Sequence, residues 1–347
     1  MNNDNQILNV LTREGVLLNV SIRFWRGQKK LRPEDVGLSP GKVSDRLISL
    51  GHKRLLPRDA TQTLALIESR AHALVEANTF PFLNGLGHFL PNARLEDVTG
   101  KLNELETQFW TAQRAFLDRY QELRVDAVQE WWRMATELVP DPERLVATIE
   151  AAFPINGQMD RYYGFDVRMF QIALPEEVSL QLVEAGDQSE VLAARQRAAR
   201  EAAVRIRRDT EAFVGDCVAS LRQQTAQLCS EMLESIRTSD TGVHQKTLNR
   251  LVRFVDQFKQ LNFANDSEME QQLEQVRGEL LTRSAGDYRD NRQAEQQLTT
   301  GLSQLRDYAR NLASQDANDL VRRFGDLGRR KFHLDPALSA ETDRKAA

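Results

Sequence analysis

The sequence predicts a mainly α-helical protein, an elongated bundle of long, antiparallel, coiled-coil-like helices with a small β element. Residues 93–139 and 188–237 contain no proline and repeat apolar residues at steps of three and four. Continuous helices of these lengths would extend roughly 70 and 75 Å at the rise of an α-helix. Two short segments instead show the period of two that is typical of a half-buried strand. A helix that long cannot bury its whole stripe inside one compact globule, so we expect an elongated molecule.

The two candidate strands are residues 16–25 and 164–174. In the first, Leu18, Val20 and Ile22 alternate with polar residues. A lone strand would leave its backbone groups unpaired, so we expect the two strands to pair. Between residues 79 and 91, two apolar runs flank Asn84-Gly85, a turn signal that predicts a short hairpin-like tongue.

The helices have identifiable start signals and apolar faces. Asp59 is expected to cap a helix over residues 60–77, and Ser267 with Glu270 has the spacing of a capping box for a later helix. A last helix is predicted over residues 288–324. The stripe of the first long helix comprises Leu95, Val98, Leu102, Leu105, Phe109, Ala112, Phe116, Tyr120, Leu123, Ala127, Trp131, Met134 and Leu138.

These elements divide the chain into five predicted parts. Residues 1–58 hold the N-terminal strand and a cap, and residues 59–160 hold a helical hairpin with the tongue and the first long helix. Residues 161–186 hold the second strand, and residues 187–334 hold the second long helix and the C-terminal helices. Residues 335–347 are expected to form a disordered tail.

Composition narrows the class of protein. A net charge of -4 over 347 residues gives no global attraction to nucleic acid, so any such binding needs a local patch. Cys217 and Cys229 would lie about 18 Å apart along one helix, too far to bridge within it. The first residues lack the features of a signal peptide, and no run of about 18 apolar residues occurs. We therefore expect a cytoplasmic protein.

No motif in the chain names a reaction. Residues 37–42 hint at a phosphate-binding loop, but the glycine spacing is one residue short and Val43 stands where a magnesium-binding Ser or Thr is needed. The five histidines have no ligand-like spacing. The sequence therefore predicts no catalytic residue, no cofactor and no metal, and hence a protein that is not an enzyme.

Two basic clusters are candidate contacts for a partner or a nucleic acid. The first, which we call the arginine run, comprises Arg195, Arg197, Arg200, Arg205, Arg207 and Arg208. The second comprises Arg322, Arg323, Arg329 and Arg330, followed by Lys331. Either cluster suits a phosphate backbone or an acidic protein face. The alternative for both is a solvated helix face.

The tongue is a candidate apolar interface. Its apolar residues are Phe80, Phe82, Leu83, Leu86, Phe89 and Leu90. They would insert in a membrane or in a partner's groove, or else fold back on the protein's own helices. Trp131 and Trp132 are about 100° apart on their helix, so one anchors an interface or both belong to a two-sided core.

The order of several short motifs resembles a known bacterial family, catalogued as domain of unknown function three-one-five-zero. The motifs are Asn19-Val20-Ser21-Ile22, Trp25-Arg26-Gly27, Lys29-Lys30-Leu31, Asp35-Val36-Gly37-Leu38, Leu50-Gly51-x-Lys53-Arg54, Phe116-Leu117-x-Arg119-Tyr120 and Phe165-Asp166-Val167-Arg168-Met169-Phe170-Gln171-Ile172. The resemblance covers roughly residues 10–335. It implies a protein of integrative elements, plasmids or phages, encoded near ring-forming AAA+ ATPases of the MoxR or CobS type and proteins with von Willebrand A-like domains.

These observations lead to one principal functional hypothesis and two alternatives. The principal one is a non-enzymatic scaffold or adaptor of a multiprotein assembly in a mobile-element or defence-type system, acting with an AAA+ ATPase and self-associating through its helical seams. The first alternative is nucleic-acid binding by the arginine run. The second is a membrane-active bundle that uses the tongue, which the lack of a spanning-length apolar run disfavours.

Overall fold

A computed structural model describes residues 6–36, 38, 50–171, 189–239 and 242–314. Within these ranges the protein is mainly α-helical with a small β element, as predicted. The chain forms two compact units. Unit 1 comprises residues 1–18, 78–95 and 169–347, and unit 2 comprises residues 19–77 and 96–168. The second basic cluster and the predicted tail lie outside the described residues.

The described helices confirm both long segments. They are α1 (Gln6–Glu14), α2 (Gln62–Asn78), α3 (Asn92–Leu138), α4 (Pro142–Ala151), α5 (Ser189–Thr238), α6 (Gln245–Leu261), α7 (Ser267–Leu280), α8 (Ala285–Arg289) and α9 (Arg292–Ser314). The strands are β1 (Gly15–Arg23), β2 (Gln28–Lys30), β3 (His52–Arg54), β4 (Phe80–Phe82), β5 (Gly87–Pro91) and β6 (Gly164–Phe170). Helices α3 and α5 run without interruption for 47 and 50 residues.

Two predicted helix starts were placed wrongly. Asp59 lies inside a 3-10 turn, Arg58–Thr61, and α2 begins only after that turn. Helix α7 is capped by Asp266, whose carboxylate accepts from the backbone N–H of Met269 at 3.3 Å. The expected cap, Ser267, is therefore already the first helical residue.

The predicted last helix is also interrupted. Asn291 separates α8 from α9, and its side-chain oxygen accepts from the backbone N–H groups of Gln293 and Ala294 at 3.0 and 3.1 Å. This capping geometry starts a new helix where the apolar pattern alone suggested continuity.

In unit 1, α9 packs along α5. Both helices bury residues at steps of three and four, so each presents a continuous apolar stripe. The buried stripe of α9 is Leu298, Leu302, Leu305, Ala309 and Leu312, and that of α5 includes Val214, Cys217, Leu221, Leu228 and Met232. Helices α6 and α7 contribute further residues to the same core.

The tongue is a β-hairpin within unit 1. Strands β4 and β5 pair antiparallel with Phe80 opposite Phe89, and β5 pairs in turn with the first half of β1. Gly15 lies opposite Pro91, and a Cβ atom at Gly15 would come within 2.4 Å of the Leu90 carbonyl oxygen. Glycine is therefore required where these two backbones approach each other.

A buried ion pair crosses the core of unit 1. Arg222 of α5 donates from Nε to the Asp266 carboxylate at 2.6 Å and from Nη1 to the Leu312 carbonyl of α9 at 2.8 Å. The two side chains are only 6% and 2% exposed. Since Asp266 also caps α7, one guanidinium joins α5, α7 and α9.

Unit 2 has an aromatic core built on α3. Trp25 lies at 5.7 Å from Tyr120 and 6.0 Å from Phe153, measured between ring centroids. Further rings extend the cluster along the helix, namely Phe109, Phe116, Tyr163 and Phe165. Strand β1 lies beside β6 in the sheet, which confirms the predicted pairing of the two strand segments.

Two tyrosines in this core differ in their hydrogen bonding. The Tyr120 hydroxyl donates to the Pro154 carbonyl at 2.7 Å. The Tyr163 hydroxyl is buried without a hydrogen-bond partner among the described residues. Burial raises the pKa of Tyr120 from 10.0 to about 12 and raises that of Tyr163 further. Both phenols are therefore neutral in the folded state across the physiological range.

Replacing Arg222 by methionine is expected to lower the free energy of unfolding by about 3–5 kcal/mol, because the buried Asp266 carboxylate loses its cation. Arg306→Met is the matched control and should lower it much less, since the pair that Arg306 forms with Asp307 is exposed and screened by solvent. Urea unfolding followed by far-UV circular dichroism measures both. Equal shifts of the two midpoints would contradict the assignment.

Tyr163→Phe is expected to leave unit 2 as stable or to stabilise it by up to about 1 kcal/mol, whereas Tyr120→Phe should destabilise it by about 1 kcal/mol. All four tryptophans lie in unit 2, so their fluorescence reports its unfolding. A larger loss for Tyr163→Phe than for Tyr120→Phe would show that the Tyr163 hydroxyl has a partner.

The same core predicts alkaline sensitivity. A raised phenol pKa means that the unfolded chain ionises first, so this stabilisation is complete below pH 10.0 and is lost as the pH rises towards about 12. Tryptophan fluorescence melts across this range should show unit 2 weakening. The stability of unit 2 should fall less steeply with rising pH in Tyr120→Phe than in the wild type. An identical pH profile for the two proteins would contradict the raised pKa of Tyr120.

Candidate interaction surfaces

A two-stranded ribbon of basic residues is the first candidate surface. Gly27 adopts φ 60°, a left-handed conformation that turns the chain from β1 into β2. Strands β2 and β3 then pair antiparallel, with Lys29 opposite Lys53. Backbone bonds from Leu31 to Gly51 and from Leu55 to Gly27, at 3.0 and 2.7 Å, extend the pairing at both ends. We call β2, β3 and their flanking residues 23–32 and 52–58 the basic ribbon.

One buried salt bridge and two hydrogen bonds fix the orientation of the basic ribbon. The Lys53 ammonium lies 2.8 Å from the Asp35 carboxylate, and the two side chains are 5% and 6% exposed. Asp35 also accepts from the backbone N–H of Arg32 at 2.8 Å. The indole N–H of Trp131 on α3 donates to the Arg54 carbonyl at 2.9 Å. The ribbon is thereby held to the body of unit 2.

The other face of the ribbon carries charge towards solvent. Side chains alternate across a strand, so Lys30, His52 and Arg54 lie on the face opposite Lys53. The exposed basic residues of the ribbon and its flanks are Arg23, Arg26, Lys29, Lys30, Arg32, Arg54 and Arg58.

Only some of these cations have an acidic neighbour. Arg26 donates from Nη2 to both carboxylate oxygens of Glu68, at 2.6 and 2.9 Å, and Arg23 lies 3.5 Å from Asp166. Within the part of the chain that the structure describes, no carboxylate forms a salt bridge with Lys29, Arg32, Arg54 or Arg58. The ribbon therefore keeps a local excess of positive charge.

A groove beside the ribbon concentrates three guanidinium groups. It has a volume of about 600 Å³ and is lined by Arg26, Arg54, Arg58, Gln28 and Gln62, with Asp59 as its acidic residue. Arg26 also stacks on Phe24, 4.7 Å from the ring centroid. Guanidinium groups at the rim of an open groove suit phosphate or carboxylate oxygens.

The C-terminal end of α3 is the second candidate surface. Met134 and Leu138, which the sequence placed on the buried stripe, are exposed, and Ala135 is buried instead. Val125 and Trp132, seven residues apart on another face, are 54% and 44% exposed. We call these four residues the apolar end of α3. Exposed apolar side chains that cluster on one surface mark a candidate site for binding another protein.

Trp131 and Trp132 point in different directions, as two adjacent residues of a helix must. Trp131 turns inward and donates to Arg54, while Trp132 faces solvent. The exposed Trp132 is therefore the candidate interface anchor. Trp131 instead packs inward against the basic ribbon.

One flank of the apolar end is acidic. Asp126, Glu130 and Glu137 recur at helical spacings of four and seven and lie along one edge of α3, with Arg133 among them. All four side chains are exposed. Binding of a partner protein to the apolar end is therefore favoured when basic residues surround the partner's docking surface.

The structure describes only part of the arginine run. Arg197, Arg205 and Arg208 are exposed on α5, and Arg208 lies 3.5 Å from Asp209. The side chains of Arg195, Arg200 and Arg207 lie outside the described residues. Its role as a contact for nucleic acid or protein stays a prediction, as does that of Arg322, Arg323, Arg329 and Arg330.

The tongue points its rings into the core of unit 1. Phe82 packs against Phe213 of α5 at 4.8 Å, and Phe89 packs against Phe263 at 4.8 Å. Phe80 and Leu90 are buried as well, and Leu83 packs against the same core. Leu86 alone of the six proposed interface residues is largely exposed, at 68%. Insertion of the tongue in a membrane or partner would therefore require the hairpin to leave this core.

A larger open groove in unit 1 has cations that are already paired. Arg237, Arg289 and Arg306 line it, and its volume is about 1130 Å³. Arg237 pairs with Glu234 at 2.5 Å, Arg289 donates to a backbone carbonyl, and Arg306 donates to Asp307 at 2.8 Å. That last bond lowers the pKa of Asp307. Its arginines are therefore less available to bind an anionic ligand than Arg54 and Arg58 in the groove beside the basic ribbon.

The described residues contain no obvious reactive centre. Cys217 and Cys229 are buried free thiols, and burial raises the pKa of Cys229 to about 12 and raises that of Cys217 as well, so neither forms a thiolate readily. Among the described residues there is no group of three or more His, Cys, Asp or Glu that could hold a metal ion. None of the helices described is both long enough and apolar enough to cross a membrane.

The fold and its surfaces define a mainly α-helical protein with an exposed basic ribbon and an exposed apolar helix end. The chain belongs to the family described as "Protein of unknown function (DUF3150)", which it matches over residues 12–284. This confirms the resemblance inferred from the order of motifs, although the match ends before residue 335. No match was found among curated proteins or among solved structures. The ATPase partner implied by the resemblance stays a prediction.

Sequence reasoning did not single out the basic ribbon, although a signal was present. Residues 23–58 contain ten lysines and arginines against three aspartates and glutamates, in a chain whose net charge is -4. Eight of these cations lie in the two strands and their flanks, spread along the sequence, so no long run of adjacent basic residues marks them. A count of charge in a longer window would have found them.

Asp35→Asn is expected to lower the free energy of unfolding of unit 2 by about 3–5 kcal/mol, because the Lys53 ammonium stays buried without its carboxylate. The paired replacement Asp35→Leu with Lys53→Met should recover most of this loss. Asp59→Asn, an exposed carboxylate in the same unit, is the control. Tryptophan fluorescence during urea unfolding measures all three. A midpoint for Asp35→Asn equal to that of the control would contradict the role of the pair.

Proposed function

We propose that the protein is a non-enzymatic scaffold or adaptor of a multiprotein assembly in a mobile-element or defence-type system, and that it acts with a ring-forming AAA+ ATPase of the MoxR type. The observation that supports binding of a protein is the apolar end of α3. The class of partner and the biological setting rest on the family resemblance.

The energetics of this surface favour a protein partner. Trp132 is the largest of the exposed apolar side chains, and tryptophan is over-represented among residues that dominate binding energy. Burying the exposed parts of Val125, Trp132, Met134 and Leu138 would each remove apolar area from water, which stabilises a complex at about 25 cal/mol per Å² before the costs of association. The acidic edge formed by Asp126, Glu130 and Glu137 favours a partner whose docking surface has a basic rim.

In this proposal the long helices act as rigid spacers. An α-helix of 47 or 50 residues extends roughly 70 or 75 Å, which separates binding surfaces by a fixed distance. Elongated, coiled-coil-like pairing of their seams with helices of a partner, or of a second copy, belongs to the same proposal. A second copy of this chain, in place of the ATPase, is the competing candidate for covering the apolar end of α3.

Trp132→Glu with Leu138→Glu is expected to weaken binding of a MoxR-type ATPase at least tenfold, since a central tryptophan often contributes about 2 kcal/mol or more. Leu66→Glu is the matched control, because Leu66 is an exposed leucine of α2 in the same unit, at 56%. Biolayer interferometry measures both affinities.

The result can also disprove the proposal. If both variants bind the ATPase as tightly as the wild type, the apolar end is not the docking surface. If no binding occurs at all, the ATPase is not the partner. Light scattering with size-exclusion chromatography identifies the competing occupant, since a dimer that Trp132→Glu dissociates would show that a second copy covers this surface.

A further inference from the structure

We propose that the basic ribbon of unit 2 binds the phosphate backbone of double-stranded DNA without reading its sequence. This surface is separate from the apolar end of α3 that carries the proposed function, and it is also separate from the arginine run.

The first argument is that several exposed cations form no salt bridge with any residue that the structure describes. Lys29, Arg32, Arg54 and Arg58 are exposed, and within the described residues none of them forms a salt bridge. Lys53, by contrast, is buried with Asp35. Cations that meet phosphates release condensed counterions, which is the main source of sequence-independent affinity for DNA. Arg54 lies on the same face of the ribbon as Lys30, whereas Lys29, opposite Lys53, lies on the other face.

The second argument is that the ribbon is ordered before it binds. The Lys53–Asp35 pair and the bond from Trp131 to the Arg54 carbonyl fix the backbone of β3. Arg54 and Arg58 then line one groove, where their guanidinium groups would meet neighbouring phosphate oxygens. Fixing the backbone in advance lowers the conformational entropy that binding costs.

The third argument distinguishes the kind of nucleic acid. Binding of single strands generally uses exposed aromatic rings on which bases stack. Both aromatic residues of the ribbon, Phe24 and Trp25, are buried at 8% and 7% exposure. A two-stranded β-ribbon fits the major groove of B-form DNA, whereas the major groove of duplex RNA is too narrow for side chains to read. Lysine and arginine directed at phosphates fix position and carry no base specificity.

Fluorescence anisotropy with a labelled mixed-sequence DNA duplex of about 20 base pairs tests this between about 50 and 200 mM salt. Arg54→Gln with Arg58→Gln should weaken binding about tenfold and reduce the slope of log affinity against log salt by about two. Both side chains are exposed, so tryptophan fluorescence should show unit 2 still folded. A second pair on the same face, Lys30→Gln with Arg32→Gln, should also weaken binding, and it replaces the first pair if that variant unfolds.

The matched control is Arg197→Gln with Arg205→Gln and Arg208→Gln, which removes three exposed cations from the arginine run and should leave duplex binding nearly unchanged. Unchanged binding by both ribbon variants overturns the proposal, and so does a loss confined to the arginine-run variant. Tighter binding of a single strand of the same sequence, or binding of vesicles rich in phosphatidylserine without binding of the duplex, also overturns it. Trp132→Glu should bind the duplex like the wild type, so failure here and failure of the scaffold proposal are distinguishable.

Discussion

The salt bridge between Lys53 and Asp35 decides which face of the basic ribbon is available to a ligand. Burying a lone ammonium would cost several kcal/mol, and the carboxylate at 2.8 Å offsets that cost. Because side chains alternate along a strand, placing Lys53 inward places Arg54 outward. One internal pair thus sets the register of β3 against β2 and the direction of the exposed cations. A slip of β3 by one residue would move Lys53 to the exposed face and Arg54 to the buried face.

Unit 1 uses the same device for a different purpose. Arg222 and Asp266 are buried together, but their hydrogen bonds end on the Leu312 carbonyl and on the cap of α7 and leave no charge at the surface. The pair specifies how three helices meet and offers no group to a ligand. The contrast explains why a buried ion pair is by itself no sign of function, and why the exposed neighbours of Lys53 matter more than Lys53 itself.

The long elements were predictable because each residue in them obeys one period. Helices α3 and α5 match the predicted segments within one residue at each end, since proline-free apolar periodicity leaves no competing structure. The helix boundaries that are set by a single capping hydrogen bond could not be predicted in this way. Asp266 and Ser267 are adjacent and both suit a cap, and only the bond to Met269 distinguishes them. Likewise Met134 and Leu138 continue the apolar period of α3, yet periodicity cannot show where the neighbouring layer of protein ends.

The two candidate surfaces of unit 2 meet on one helix. Trp131 holds the ribbon through the Arg54 carbonyl, while Trp132 is one step of about 100° further round α3 and faces solvent. Chemically these residues are identical, so only the position of β3 assigns them different roles. A substitution at Trp131 would therefore disturb the ribbon it supports, whereas one at Trp132 would change the exposed surface alone. This separation allows unit 2 to present a basic surface and an apolar surface with an acidic edge on a single rigid support.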